Sequence, residues 1–161
     1  MPSISRYINV LSRASGMFRG ANMKNQELRP YLQNYILVLT RSPGLSQEQI
    51  ARRLCVDKSS VTRALAALEK IGYVTRERDK EDKRITLVYP TQKAIESREE
   101  IRNAYKEWNN YINEGFSDEE KSEFIRLLEK AAKRAAEYAE AELDGVDFSE
   151  EAVTETERET K

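Results

Sequence analysis

SQEQIARRLCVDKSSVTRALAALEKIGYV, residues 46–74, runs directly into TRERDKEDKRITLVY, residues 75–89. The first part predicts two short helices joined by a tight turn. The second predicts a charged β-hairpin. The second helix, roughly Asp57 to Ile71, has two unlike faces. Val61, Leu65, Leu68 and Ile71 recur at spacings of four and three and form one buried stripe. Lys58, Ser59, Ser60, Thr62 and Arg63 cluster at its start, mostly off that stripe. Cations and short hydroxyls are the side chains that reach phosphate oxygens and base edges in a major groove. The arrangement predicts a winged helix-turn-helix that reads double-stranded DNA.

The flanks follow from the same periodicities. Ser3 caps a helix over residues 3–20, with Ile4, Tyr7, Ile8, Leu11, Ala14, Ser15 and Phe18 on one face and Gly20 with Asn22 as its terminator. Pro30 opens a second helix, and the SPGL of 42–45 ends it. Ser46 and Gln49 form a capping box for the third. Cys55 and Val56 make the turn, Cys55 being read as a small buried residue. Asp57 caps the fourth helix and Gly72 ends it. From Tyr73 the period becomes two, weakly on the outgoing strand and clearly in Ile85, Leu87 and Tyr89.

Beyond Pro90–Thr91 a long helix carries Ile95, Arg98, Ile101, Tyr105, Trp108 and Ile112 as a seam, and Gly115 breaks it. Ser117 and Glu120 cap a last helix reaching Leu143, with Phe124, Leu127, Leu128, Ala131, Ala135 and Tyr138 at helical spacing. Its length, about 40 Å, exceeds what a small domain can cover. A homodimer burying the terminal helices resolves this. The expected organisation is therefore a dimerisation helix and loop at 1–29, a DNA-binding unit at 30–90, dimerisation helices at 91–143 and a disordered acidic tail at 144–161. The fold class is mainly α with a small β-hairpin wing.

The net charge of −1 conceals a division. Residues 1–89 hold sixteen Lys/Arg against eight Asp/Glu, and residues 90–161 hold eleven against twenty. A basic half and an acidic half suit a nucleic-acid face opposed by a face kept away from it. The longest apolar run, YILVL at 35–39, is far too short to span a bilayer, and the N-terminus lacks a secretory pattern. The single cysteine excludes an internal disulfide framework and fits the cytoplasm. With no histidine, no cysteine–histidine pair and no glycine-rich phosphate loop, the chain offers neither an enzyme site nor a metal or cofactor site.

With its elements in this order the chain resembles the MarR family of bacterial winged-helix regulators. The resemblance covers about residues 1–143. It is most specific from Leu45 to Ala94, in Leu45, Ser46, Ile50, Ala51, Leu54, the VDKSSVTR of 56–63, Leu68, Glu69, Gly72, Arg76, Asp82 and Arg84. It implies an obligate dimer, a fourth helix entering the major groove, and Arg84 reaching the minor groove while Asp82 orients it. It also implies release of DNA by small aromatic or lipophilic effectors. Three residues depart from the family pattern: Cys55 stands where a glycine is usual, Pro90 replaces a leucine and Ala94 replaces a glycine. The first two bear on the helix-turn-helix angle and on the exit from the wing.

Arg63 and Arg84 are the leading candidates for DNA contact, because an arginine can bind guanine with two hydrogen bonds or enter a narrow minor groove. Lys58, Ser59, Ser60 and Thr62 join them, although the two serines also suit a helix cap. Gln47, Arg78, Lys80 and Lys83 are candidates for phosphate contact, with plain surface as the competing role. Arg13, Phe18, Tyr31 and Tyr35 are candidates to line an effector cleft, against core packing for the aromatics. A winged helix serving as a protein–protein adaptor is the alternative. It requires an apolar or acidic exposed face on the fourth helix, where this chain has KSS and TR.

Overall fold

The computed structural model describes residues 3–143. Six helices and a three-stranded antiparallel sheet follow in the order α1 (Ile4–Asn22), α2 (Pro30–Arg41), β1 (Leu45–Ser46), α3 (Gln47–Leu54), α4 (Lys58–Lys70), β2 (Val74–Arg78), β3 (Thr86–Pro90), α5 (Gln92–Ile112) and α6 (Asp118–Leu143). The fold is mainly helical with a small wing, as the periodicities indicate. The acidic tail expected at 144–161 lies outside the described residues.

The capping signals act as read. Ser3 accepts from the Arg6 N–H, and Asp57 from the Ser60 N–H. Ser46 and Gln49 close a reciprocal box, and so do Ser117 and Glu120. Each satisfies backbone donors that a helix start leaves open. The hairpin is registered by Val74 opposite Pro90, Arg76 opposite Val88 and Arg78 opposite Thr86. Pro90 therefore stands at the root of the hairpin, and the next N–H, that of Thr91, bonds the Tyr73 carbonyl at 3.0 Å.

The core lies where α2, α3, α4, the sheet and the start of α5 meet. Leu32, Ile36 and Leu39 of α2 pack with Ile50, Val61, Leu65, Leu68, Tyr73 and Val88, and Ala94, Ile101 and Ala104 close it from α5. Burial of each large aliphatic side chain there contributes about 1.5–3 kcal/mol. The α4 stripe is buried as its spacing requires, with Ala64 added and Ile71 at the margin.

Four readings need correction. Gly20 does not end α1: the helix continues to Asn22, and Gly20 allows close packing, since a Cβ there would stand 3.1 Å from Pro30 Cγ. Cys55 is exposed rather than buried. It takes a left-handed conformation, φ 51° and ψ 46°, the geometry a glycine would supply, so the turn is retained. The α5 stripe that faces the core is Ala94, Ile101, Ala104 and Trp108, while Ile95 is half exposed. The strand β1 was not anticipated. Two residues are too few for a periodicity, yet Leu45 and Ser46 pair with Val88 and Leu87 and fix the start of α3 to the wing.

Among the described residues, much of α1 and α6 has no apolar cover. Ile4 is 75% exposed, Tyr7 58% and Tyr138 70%, while Leu127 and Leu128 are nearly half exposed.

Candidate nucleic-acid interface and adjoining cleft

The start of α4 is built around Asp57. Its carboxylate accepts from Ser59 Oγ at 2.5 Å, Ser60 Oγ at 2.7 Å and the Ser60 N–H at 2.8 Å. These bonds, the one from the Ser59 hydroxyl foremost, hold the carboxyl well below the usual carboxylate range. The two serines thus use their only hydroxyl protons inside the cap and present lone pairs outward.

Thr62 Oγ1 donates to the Lys58 carbonyl at 2.9 Å and lies 3.4 Å from Gln47 Oε1, which links the fronts of α3 and α4. Lys58 pairs with Glu48 at 3.5 Å, and Arg52 reaches the same carboxylate at 3.2 Å. Arg63 donates to Ser60 Oγ at 3.1 Å and has no carboxylate partner among the described residues. Lys58, Ser59, Thr62 and Arg63 are exposed and Ser60 is half-buried, so the cluster does occupy the outer side of α4. No large apolar residue shares that side.

The wing tip is ordered by short-range bonds. Asp79 accepts from the N–H groups of Glu81 and Asp82, and Arg78 donates to the Lys83 carbonyl at 3.0 Å. Asp82 takes both a side-chain fork and a backbone bond from Arg84: Nε at 3.0 Å, Nη2 at 2.9 Å and N at 3.0 Å. The Arg84 side chain is nevertheless 90% exposed. Lys80 and Lys83 project into solvent. Arg76 pairs with Glu69 at 3.2 Å and ties β2 to the end of α4.

The proposed effector residues divide. A cleft of about 440 Å³ is lined by Tyr31, Asn34, Tyr35, Leu54, Val56, Ser60, Arg63 and Ala64. Tyr31 and Tyr35 belong to it. Arg13 and Phe18 do not: Arg13 is exposed on α1, and Phe18 stacks with Trp108 and Tyr111 at 5.6 and 5.4 Å between ring centres. The other walls escaped notice because Leu54, Val56 and Ala64 look like ordinary core in sequence. Burial raises the Tyr35 phenol above its ordinary pKa, and Asp57 adds to this, while Arg63 opposes it.

Behind the cleft, Arg19 is buried with no acidic partner among the described residues. It donates to Gln33 Oε1 at 2.6 Å, to the Tyr105 hydroxyl at 2.7 Å and to Ser15 Oγ at 3.2 Å, and stacks over the Tyr105 ring at 4.1 Å. Tyr105 in turn donates to Asn34 Oδ1. This arginine carried no sequence signal, since it sits one position beyond the apolar face of α1. Among the described residues no group of His, Cys, Asp or Glu could hold a metal ion, and no helix is long and apolar enough to cross a membrane.

Known proteins share this fold. A sequence model of the MarR family matches residues 35–86. The chain is 34% identical over 113 residues to YwoH of Bacillus subtilis, an uncharacterized HTH-type transcriptional regulator, covering 67% of this chain and 82% of that one. A MarR protein from Peptoclostridium difficile superposes with a TM-score of 0.81 at 31% identity, over 86% of this chain and 92% of the other. A putative MarR family regulator from Listeria monocytogenes, complexed with a 26mer DNA, superposes with a TM-score of 0.78 at 25% identity, over 92% and 99%.

Proposed function

The chain belongs to the MarR family of transcriptional regulators, and from that premise we propose that it is a homodimeric repressor of a pseudo-palindromic operator, released by a small aromatic or lipophilic effector. The observation that carries the DNA reading is the outer side of α4, where Arg63 stands beside Lys58 and Thr62 with no carboxylate partner among the described residues. In this reading α4 enters the major groove with Arg63 on base edges. Lys58, Thr62 and Gln47 contact phosphates, while Ser59 and Ser60 set the helix start and accept rather than donate. Arg84, braced by Asp82, enters the minor groove, with Arg78, Lys80 and Lys83 along the backbone. The adaptor alternative loses weight because that side of α4 carries no large apolar residue.

The exposed apolar residues of α1 and α6 support a dimer made through these helices, which places two reading heads on half-sites ~34 Å apart. The cleft between α2 and α4 supports an effector site, since its volume falls in the range of small-molecule pockets, about 300–1,000 Å³. Such a regulator works in the cytoplasm, where its operator is.

Selection of bound fragments from random DNA at fixed salt tests the reading. The expected product is one two-fold symmetric motif, with affinity falling steeply as salt rises. Arg63→Ala is expected to cost roughly 1–3 kcal/mol and to relax preference at one position of each half-site. An unstructured pool with flat salt dependence would overturn the DNA reading.

A further inference from the structure

We propose that Ser59 is a specificity-determining residue of the DNA face, which accepts a hydrogen bond from the exocyclic amino group of an adenine or a cytosine in the major groove. It thereby selects an amino-bearing base over a keto-bearing one at a single position of each half-site. The inference rests on the reading that α4 enters the major groove with Arg63 on base edges, and it names what a second side chain of that helix reads.

A serine hydroxyl has one proton to give and two lone pairs with which to accept. In Ser59 the proton is already given, to Asp57 Oδ1 at 2.5 Å. The acceptor is an ionised carboxylate, so the bond is charge-assisted and roughly twice as strong as one between neutral groups. The cap itself keeps that carboxylate ionised, because the Ser59 hydroxyl, the Ser60 hydroxyl and the Ser60 N–H all donate to it. Turning the Ser59 proton outward would break the bond and bare negative charge on the side that meets DNA phosphates. Thr62 differs. Its proton goes to the neutral Lys58 carbonyl at 2.9 Å, and exchanging that bond for a phosphate oxygen gives up no charge-assisted partner.

Ser59 therefore offers the groove lone pairs only. Phosphate oxygens are acceptors and cannot use them. On the floor of the major groove the donors are the N4 amino group of cytosine and the N6 amino group of adenine, whereas guanine O6 and thymine O4 accept. Ser60 has the same polarity without the same freedom: it is half-buried, and its Oγ already accepts from Arg63 at 3.1 Å. Ser59 is exposed, and it stands four residues before Arg63. Residues so spaced share one helix face. A helical turn rises about 5.4 Å against ~3.4 Å per base pair, so Ser59 meets a base about one or two pairs from the one that Arg63 reads.

The test uses the full chain and the operator selected from random DNA. Close to the position whose preference Arg63→Ala relaxes, one position should admit adenine or cytosine on one strand and reject guanine and thymine. Ser59→Ala should lose that preference, and Ser59→Thr, which keeps the hydroxyl, should retain it. Replacing the adenine by purine, or the cytosine by 2-pyrimidinone, then deletes the amino group alone. The parent protein should bind the substituted operator roughly twofold to tenfold more weakly, the worth of one neutral hydrogen bond. Ser59→Ala should bind the substituted and unsubstituted operators equally. The base substitution needs no variant, so the parent protein decides the matter even if Ser59→Ala does not fold. A guanine or thymine at that position, undiminished binding by the parent when the amino group is deleted, or the parent's preference persisting in Ser59→Ala would each overturn the proposal. Selection of no motif at all defeats the regulator reading, whereas a motif that depends on Arg63 and is indifferent to Ser59 defeats this inference alone.

Discussion

Cys55 and Gly72 do the same work at the ends of successive helices. Each has a positive φ, 51° and 77°. The N–H of Val56 bonds the Ala51 carbonyl at 3.1 Å, and the N–H of Tyr73 bonds the Leu68 carbonyl at 2.8 Å. The N–H groups of Cys55 and Gly72 close the inner bonds to Arg52 and Glu69. Both are Schellman closures, in which a left-handed residue lets the chain turn back on the last helical carbonyls.

Left-handed backbone costs a residue with a Cβ about 1–2 kcal/mol, a cost glycine avoids while losing more chain entropy on folding. Cys55→Gly is therefore expected to stabilise the fold by about 0.5–1 kcal/mol, and Cys55→Val to destabilise it. Urea titration of both variants measures this. A glycine variant less stable than the parent would remove the strain argument.

The Asp57 cap carries a pH signature. Its pKa is depressed in the folded chain, so it stabilises the fold above the ordinary carboxylate range, and that contribution disappears as pH falls through the folded value. Asp57→Ala should melt below the parent at neutral pH, and the gap should close on acidification. A gap independent of pH would show that the carboxylate is not what the variant loses.

Asp82 holds Arg84 by a two-point fork, but Asp82 is only half-buried and Arg84 is almost fully exposed, so the pair adds little to stability. Asp82→Ala should leave the melting temperature nearly unchanged while weakening operator binding, because a freed Arg84 must be ordered by DNA itself. Equal DNA affinity in the two proteins would mean the brace has no role in binding.

Arg19 and Gln33 are coupled. Gln33 is fully buried, its Oε1 faces Arg19 and its Nε2 has no partner. Arg19→Met keeps the volume but orphans that oxygen, at a cost of about 1–3 kcal/mol. Adding Gln33→Leu removes the orphan, so the double variant should be more stable than Arg19→Met alone. Additive losses would show the two side chains to be independent.

Leu127 and Leu128 are exposed on α6 within a single chain. If a second copy covers them, Leu127→Glu with Leu128→Glu should yield a monomer by light scattering and reduce operator binding severely. An intact dimer would place the interface elsewhere.

Much of this fold is readable from residues alone because its elements carry local signals. The α4 stripe, the two capping boxes and Gly72 each report themselves within a few positions. What escaped was long-range. β1 exists only because Val88 and Leu87 arrive opposite Leu45 and Ser46 from more than forty residues away. Arg19 is buried only because Tyr105 and Gln33 converge on it from α5 and α2. Tyr31 and Tyr35 do reach the cleft, whereas Phe18 is drawn into stacking with Trp108 and Tyr111, a contact no spacing within α1 could announce.

The root of the wing has a mechanical consequence. Thr91 Oγ1 donates to the Gly72 carbonyl at 2.7 Å, Arg76 grips Glu69, and β1 binds the front of α3 to β3. Helix α4 and the wing are therefore the two jaws of a caliper welded at the hinge. In the proposed reading, the gauge of one half-site is held by contacts within a single chain. If α4 and the wing read DNA as proposed, an operator variant that changes spacing inside a half-site works against these contacts, whereas one that changes the distance between half-sites does not.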